Sequence, residues 1–169
     1  MEKAKKYTQR NWIQKTLLKF TSSKIGARIA SRILHPIDKA ILKLSKNQSS
    51  LTSIISGIPV IVLTTTGAKS GKLRTVPLLG VIKGEDVFLI ASNWGQARHP
   101  SWYYNLNAKP EAKLSFGKKT GEYIARDATD AERKAYWAEA VNMYAGYAEY
   151  KKRISTREIP MFILSPKKV

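Results

Sequence analysis

A chain of 169 residues with 43% hydrophobic content is long enough for one domain with a real core. Its 30 Lys and Arg against 12 Asp and Glu give a formal net charge of +18, which points to an anionic ligand, surface or polymer as partner. The absence of cysteine excludes disulfides, thiolate catalysis and cysteine metal centres; two histidines, His35 and His99, are too few for a histidine site, so no metal is expected.

The charge is uneven. Residues 1–50 carry twelve Lys or Arg against Glu2 and Asp38, net +10, leaving eighteen against ten, net +8, for residues 51–169. Within residues 11–20, Ile13, Leu17 and Phe20 share one helical face, and Thr21, Ser22 and Ser23 form an N-cap cluster before Ile25, Ile29 and Ile33. Pro36 is expected to break or kink that second helix, with Ile37, Ile41 and Leu44 as a further short apolar face. Lys15, Lys19, Lys24, Arg28, Arg32, Lys39 and Lys43 occupy the other sides. Residues 1–46 therefore read as a basic amphipathic helical arm, either packed on the core domain or lying on an anionic membrane with Trp12 and Phe20 at the headgroup boundary. Nucleic acid is not the expected partner, because no DNA- or RNA-binding motif accompanies the charge. No secretory signal or spanning run is visible, so the expected location is the cytoplasm, peripheral on the inner face of the cell membrane if the arm meets lipid.

Residues 47–57 read as a linker into a core domain at 58–169. Residues 58–63 are a β-branched strand, 74–82 a second and 87–92 a third, the last two joined by a turn at Lys83-Gly84-Glu85-Asp86. Between the first two lies Thr64-Thr65-Thr66-Gly67-Ala68-Lys69-Ser70-Gly71-Lys72-Leu73-Arg74. Its glycines let backbone N–H groups approach a ligand and its cations attract an anion, although the spacing is neither a nucleotide-hydrolase loop nor a dinucleotide fingerprint. From the loop alone a solvated turn is the plainer reading. A short helix is expected at 101–107, strands at 112–116 and 122–126 around a turn at 117–121, and a helix from an N-cap at Thr129, with Glu132 at the capping-box position, to about residue 144. A helix at 149–157 and a closing strand at 160–164 complete the chain. About six mostly antiparallel strands with outer helices give an α+β barrel.

No nucleophile and base can be assembled, which argues against hydrolysis. A hydride-transfer enzyme asks less of its side chains, because the cofactor carries the hard step. By spacing, Tyr144, Tyr147 and Tyr150 read as aromatic packing at a helix end.

Several pieces in order resemble the deazaflavin (F420)-dependent nitroreductase and quinone reductase family of split β-barrel proteins. They are Leu63-Thr64-Thr65-Thr66-Gly67-x-Lys69-Ser70-Gly71-x-x-Arg74, Ala91-Ser92-Asn93, His99-Pro100-x-Trp102-Tyr103-x-Asn105-Leu106, residues 125–133, Met143-Tyr144-x-x-Tyr147-x-x-Tyr150, and Ile159-Pro160. The resemblance implies reduced F420 as hydride donor to a quinone or nitroaromatic-type acceptor, with its anionic tail on the basic loop and its head inside the barrel mouth. Carried over by position, the cofactor residues are Ala68, Lys69, Ser70, Arg74, Thr75, Val76, Pro77, Leu78, Leu79, Ile90, Ala91, Ser92, Asn93, Ser101, Trp102, Tyr103, Tyr104, Asn105 and Tyr147. The catalytic set it implies is Tyr147, Ser92, Tyr144 and Tyr150, with Tyr147 as proton donor or orienting group. Two departures stand out: Ala68 replaces a cation common in relatives, and Asn93-Trp94 replaces the lysine and glycine of nitroimidazole-reducing members. A split-barrel FMN protein and a non-catalytic basic lipid- or nucleic-acid-binding protein are the alternatives. The oligomeric state is left open.

Overall fold

The computed structural model describes residues 12–44, 58, 60–117 and 119–168, excluding the side chains of residues 34–36, 39 and 42–44. The expected linker at 47–57 lies outside the described residues. Six strands, β1 (Val60–Thr66), β2 (Leu73–Lys83), β3 (Asp86–Ile90), β4 (Glu111–Phe116), β5 (Lys119–Asp127) and β6 (Met161–Pro166), close into a barrel in the order β1-β2-β3-β6-β5-β4. Every pairing is antiparallel. This is the split β-barrel expected from the sequence.

Period-two alternation divides the strands between two cores. Ile61, Leu63, Val87, Leu89, Leu114, Phe162 and Leu164 fill the lumen, joined by Trp102 and Leu106 of α3 (Ser101–Ala108). Their strand neighbours Phe88, Ile90, Met161 and Ile163 point outward, under α4 (Asp130–Met143) and α5 (Gly146–Arg153). The barrel interior is therefore occupied by side chains, and room for a ligand must lie beside it.

Two hairpins run further than their turn residues suggested. Hydroxyl pairs across the ladders, Thr64 with Thr75 at 3.0 Å and Ser115 with Thr120 at 2.7 Å, carry the pairing outward into polar sequence. The arm forms α1 (Trp12–Ser22) and α2 (Lys24–Leu44), and Ser23 caps the second by accepting from the Gly26 N–H at 3.0 Å. The helix continues across Pro36 rather than ending there: the proline removes one ladder bond, while buried Gly26, Ala27, Ala30 and Asp38 hold the helix on both sides of it. The last helix ends at Arg153, short of the expected residue 157, where Ile154 turns extended.

α4 starts in the predicted capping box. Thr129 Oγ1 accepts from the Glu132 N–H, and the Glu132 carboxylate accepts from the Thr129 N–H and from both Arg126 Nη atoms, at 2.9 and 2.7 Å. The Arg126 hydrogen bonds, then the Thr129 N–H, hold the Glu132 carboxyl at about 2, below its usual 4.5. A depressed carboxyl stabilises the fold fully above pH 4.5, and that contribution is lost as pH falls toward 2. Thr129→Ala should lower unfolding free energy by ~1 kcal/mol and the melting midpoint by ~2–4 °C. Acid titration of Glu132→Gln should lack the part of the wild-type stability loss that falls between those two pH values.

Candidate active site

The basic loop leaves β1 as a tight turn: Gly67 N–H donates to Lys72 O at 2.9 Å and Gly71 N–H to Gly67 O at 2.8 Å. Gly71 has φ +64°, a conformation that side chains disfavour, and a Cβ on Gly67 would stand 2.7 Å from Ser70 Oγ. The turn is fastened from below by Asn105 of α3, whose Oδ1 accepts from the Ala68 N–H at 3.0 Å while its Nδ2 donates to buried Thr65 Oγ1 at 2.9 Å. Asn105 is 6% exposed, so this small network is shielded from competing water. Lys69, Lys72 and Arg74 project from the turn into solvent.

A cavity of about 1240 Å³ runs from this turn along β2, past Ile90, to α5 and the arm. Trp102, Tyr104 and Asn105 line it from α3; Ser92, Asn93, Trp94 and Gln96 line it from the turn after β3; Tyr144, Tyr147 and Tyr150 line it from the start of α5. Leu17, Leu18, Thr21, Ser31 and Asp38 of α1 and α2 complete the wall. That volume exceeds the ~300–1,000 Å³ of a single-ligand pocket, leaving room for a cofactor and an acceptor together.

The three tyrosines form an edge-on aromatic cluster with centroids 5.5–6.4 Å apart. Gly146 permits it, because a Cβ there would collide with the Tyr144 ring. Tyr144 and Tyr150 hydroxyls meet at 2.8 Å, and both reach the arm: Tyr144 donates to Thr21 Oγ1 and Tyr150 to Thr21 O, each at 3.2 Å. Arg153 adds a bond to Ser22 O at 2.8 Å while its guanidinium lies 4.9 Å from the Tyr150 ring centroid. Tyr147 is the member that leaves the arm alone, donating to Leu79 O at a long 3.3 Å. Burial, reinforced by Tyr144, pushes its phenol above the usual range. At any physiological pH it is a protonated hydroxyl beside an apolar wall.

A family model described as F420H(2)-dependent quinone reductase matches residues 40–166. The chain belongs to the F420H(2)-dependent quinone reductase family. A Mycobacterium tuberculosis protein named F420H(2)-dependent quinone reductase Rv1261c is 33% identical over 110 residues, covering 63% of this chain and 73% of that protein. A solved structure described as an F420-H2 dependent reductase, FDR-A, is 42% identical with a TM-score of 0.59, over 63% of this chain and 94% of that one. Another, described as a domain-swapped dimer, is 35% identical with a TM-score of 0.61, over 75% and 95% of the two chains. This family member is accordingly an F420-dependent oxidoreductase that passes a hydride from reduced F420 to a quinone. The matched segment begins at residue 40, so Thr21 and Ser22 stand outside it.

The residues present suit that cofactor: a cationic, glycine-turned loop for a polyanionic tail, continuous with an apolar and aromatic trough for a flat ring system. Of the positions expected from the sequence, all but Ala91 and Tyr103 line the cavity. Ala91 is buried in the lumen core, and Tyr103 stacks on His99 with centroids 4.3 Å apart. Thr21, Asp38, Trp94 and Gln96 were not anticipated as lining residues. Asn93-Trp94 alone carried a local signal for its place, as a departure from relatives. Asn105→Ala would strand the Thr65 hydroxyl and the Ala68 N–H, an expected loss of ~1–3 kcal/mol in stability, and should weaken F420 binding through the loosened turn. A melt and a fluorescence titration of that variant check both.

Proposed function

We propose that the cavity takes the F420 tail at Lys69, Lys72 and Arg74 and the quinone ring at the tyrosine end, with Tyr147 as hydrogen-bond donor to the acceptor oxygen. The observation that carries this reading is the continuity of one cavity from the basic turn to the tyrosine cluster. When bound, reduced F420 supplies the hydride. The chain's own work is then to hold the two rings in contact, exclude water with Leu79, Ile90 and Trp94, and offer a proton where negative charge develops. Tyr144 and Tyr150 engage Thr21 and each other, whereas the Tyr147 hydroxyl has a long bond that an acceptor oxygen could replace. Ser92, 7% exposed and lining the cavity, is a further polar side chain at that end. A quinone suits these walls better than a nitroaromatic, because Asn93 and Trp94 provide no cation for a nitro group.

The same proposal places the arm on an anionic membrane, peripheral to its inner face. Leu17 and Leu18 turn to the cavity, but most of its larger apolar side chains are exposed: Trp12 is 76% and Ile25 71% exposed, and Ile13, Phe20, Ile29, Ile33 and Ile37 are exposed too. The barrel side of α2 is made of small residues, with Ala27 and Ala30 buried. Lys15, Lys19, Lys24, Arg28 and Arg32 flank the apolar stripe in solvent, the pattern of an interfacial helix. Among the described residues no helix is long and apolar enough to cross a membrane.

Tyr147→Phe should lower kcat for quinone on the order of 10²-fold while F420 affinity stays near wild type. A variant turning over at the parent rate would return the tyrosine cluster to a packing role. Full-length protein should cosediment with phosphatidylglycerol vesicles and much less with phosphatidylcholine, and salt should release it, each basic residue near the surface contributing ~1 kcal/mol. The double variant Ile29→Asp, Ile33→Asp should lose that binding with its melt unchanged. Failure of the wild type to pellet would retire the membrane reading.

A further inference from the structure

Arg157 lies between α5 and β6 and does not line the cavity. Its guanidinium gathers backbone carbonyls from one short stretch: Nη1 donates to Ala91 O at 3.3 Å, Nη2 to Ser92 O at 3.0 Å, and Nη2 and Nε to Gln96 O at 3.0 and 3.3 Å. Nη1 also donates to Glu158 O at 2.9 Å and stands 3.2 Å from His99 Nδ1. An arginine has donors alone, so a hydrogen bond at this contact has Nδ1 of a neutral His99 as its acceptor. The ring so fixed stacks on Tyr103 at 4.3 Å, just ahead of the cavity residues Trp102 and Tyr104.

The carbonyls that Arg157 holds bracket the two described non-glycine residues with positive φ, Asn93 at +49° and Trp94 at +57°. For tryptophan this left-handed conformation is disfavoured and persists where the surroundings over-determine it. The backbone bonds of the turn, Gly95 N–H to Ser92 O and Gln96 N–H to Asn93 O, are both 3.0 Å and local, and would follow the turn if it relaxed. Beside the packing of Trp94 on the core, Arg157 is the side chain that hydrogen-bonds the turn from outside. A planar fork with five N–H groups spans carbonyls five residues apart, which a lysine ammonium cannot do.

We propose that Arg157 is a positioning residue for quinone reduction, holding the turn at residues 92–96 so that Ser92, Asn93 and Trp94 shape the cavity wall facing the tyrosines. This rests on the reading of that cavity as the cofactor and acceptor site. Arg157 acts through the turn and touches neither ligand, while the F420 tail is held at the far end by Lys69 and Arg74. Loss of the fork therefore impairs turnover more than cofactor binding.

The test compares Arg157→Ala and Arg157→Lys with wild type in F420H2-dependent reduction of a short-chain quinone, well below the melting midpoint. Arg126→Ala, a surface arginine paired with Glu132, is the control expected to keep wild-type kcat. Both Arg157 variants should lose tenfold or more in kcat, with the Kd of oxidised F420 changing less than threefold and tryptophan emission shifting to longer wavelength. Millimolar guanidinium should restore part of the Arg157→Ala rate. If the alanine variant fails to fold, the lysine variant decides: a tenfold loss with retained F420 binding supports the proposal. Wild-type kcat in the lysine variant, or parallel losses of F420 affinity and rate, would overturn it. A wild-type protein that neither binds F420 nor reduces quinone would instead fail the reading beneath it.

Discussion

The filled lumen is the constraint on which the rest of the structure depends. Six strands closing around Ile61, Leu63, Leu89, Leu114, Phe162 and Leu164 fill the interior with side chains, so the binding surface lies at the barrel's edge, along β2 and under the elements that cover it. A barrel of this size packs side chains inside as any core does. The cavity is thus assembled along β2 from separated segments: the basic turn after β1, the turn after β3, α3, the α4–α5 junction with the start of α5, and the arm. None of them could form it alone. The basic turn, the turn after β3, and the tyrosines with the arm are pinned by polar contacts, through Asn105, Arg157, and the Thr21 contacts of Tyr144 and Tyr150.

The two ends of the cavity are electrostatically unlike. Exposed cations at the turn attract an anion over a distance and are screened by salt. Tyr147 sits where burial holds its proton in place, with Tyr144 as a lesser contribution. The arm closes the tyrosine end. Its α1 supplies Leu17, Leu18 and Thr21 to the cavity, and its α2 leaves a stripe of isoleucines exposed between basic residues.

Locally written features were legible in the sequence. The alternating strands, the Thr129 and Glu132 capping box and the glycine turn with its cations each depend on residues within about a dozen positions. The tyrosine spacing was visible, but spacing alone suggested packing; the family resemblance supplied the catalytic reading. What escaped was long-range. Thr21 looked like a helix cap, and its bond to Tyr144 spans 123 positions. Arg157 has backbone carbonyls as partners up to 66 residues away, and a carbonyl leaves no mark on the sequence. The amphipathic pattern of α2 announced an apolar stripe without telling which arc would be buried, and the small side chains Ala27 and Ala30 beside that stripe pack against the barrel instead. Pro36 shows the same limit from the other side: a strong local stop signal gave way to packing on both of its flanks.

The central claim is that the basic turn and the trough behind it hold a polyanionic deazaflavin. Titrating oxidised F420 into the protein by fluorescence, at low and at high salt and beside Arg74→Glu, tests it most directly. The account predicts saturable micromolar or tighter binding that weakens with salt and weakens further on charge reversal. Equal or tighter binding of FMN, with no change in F420 fluorescence, would contradict it.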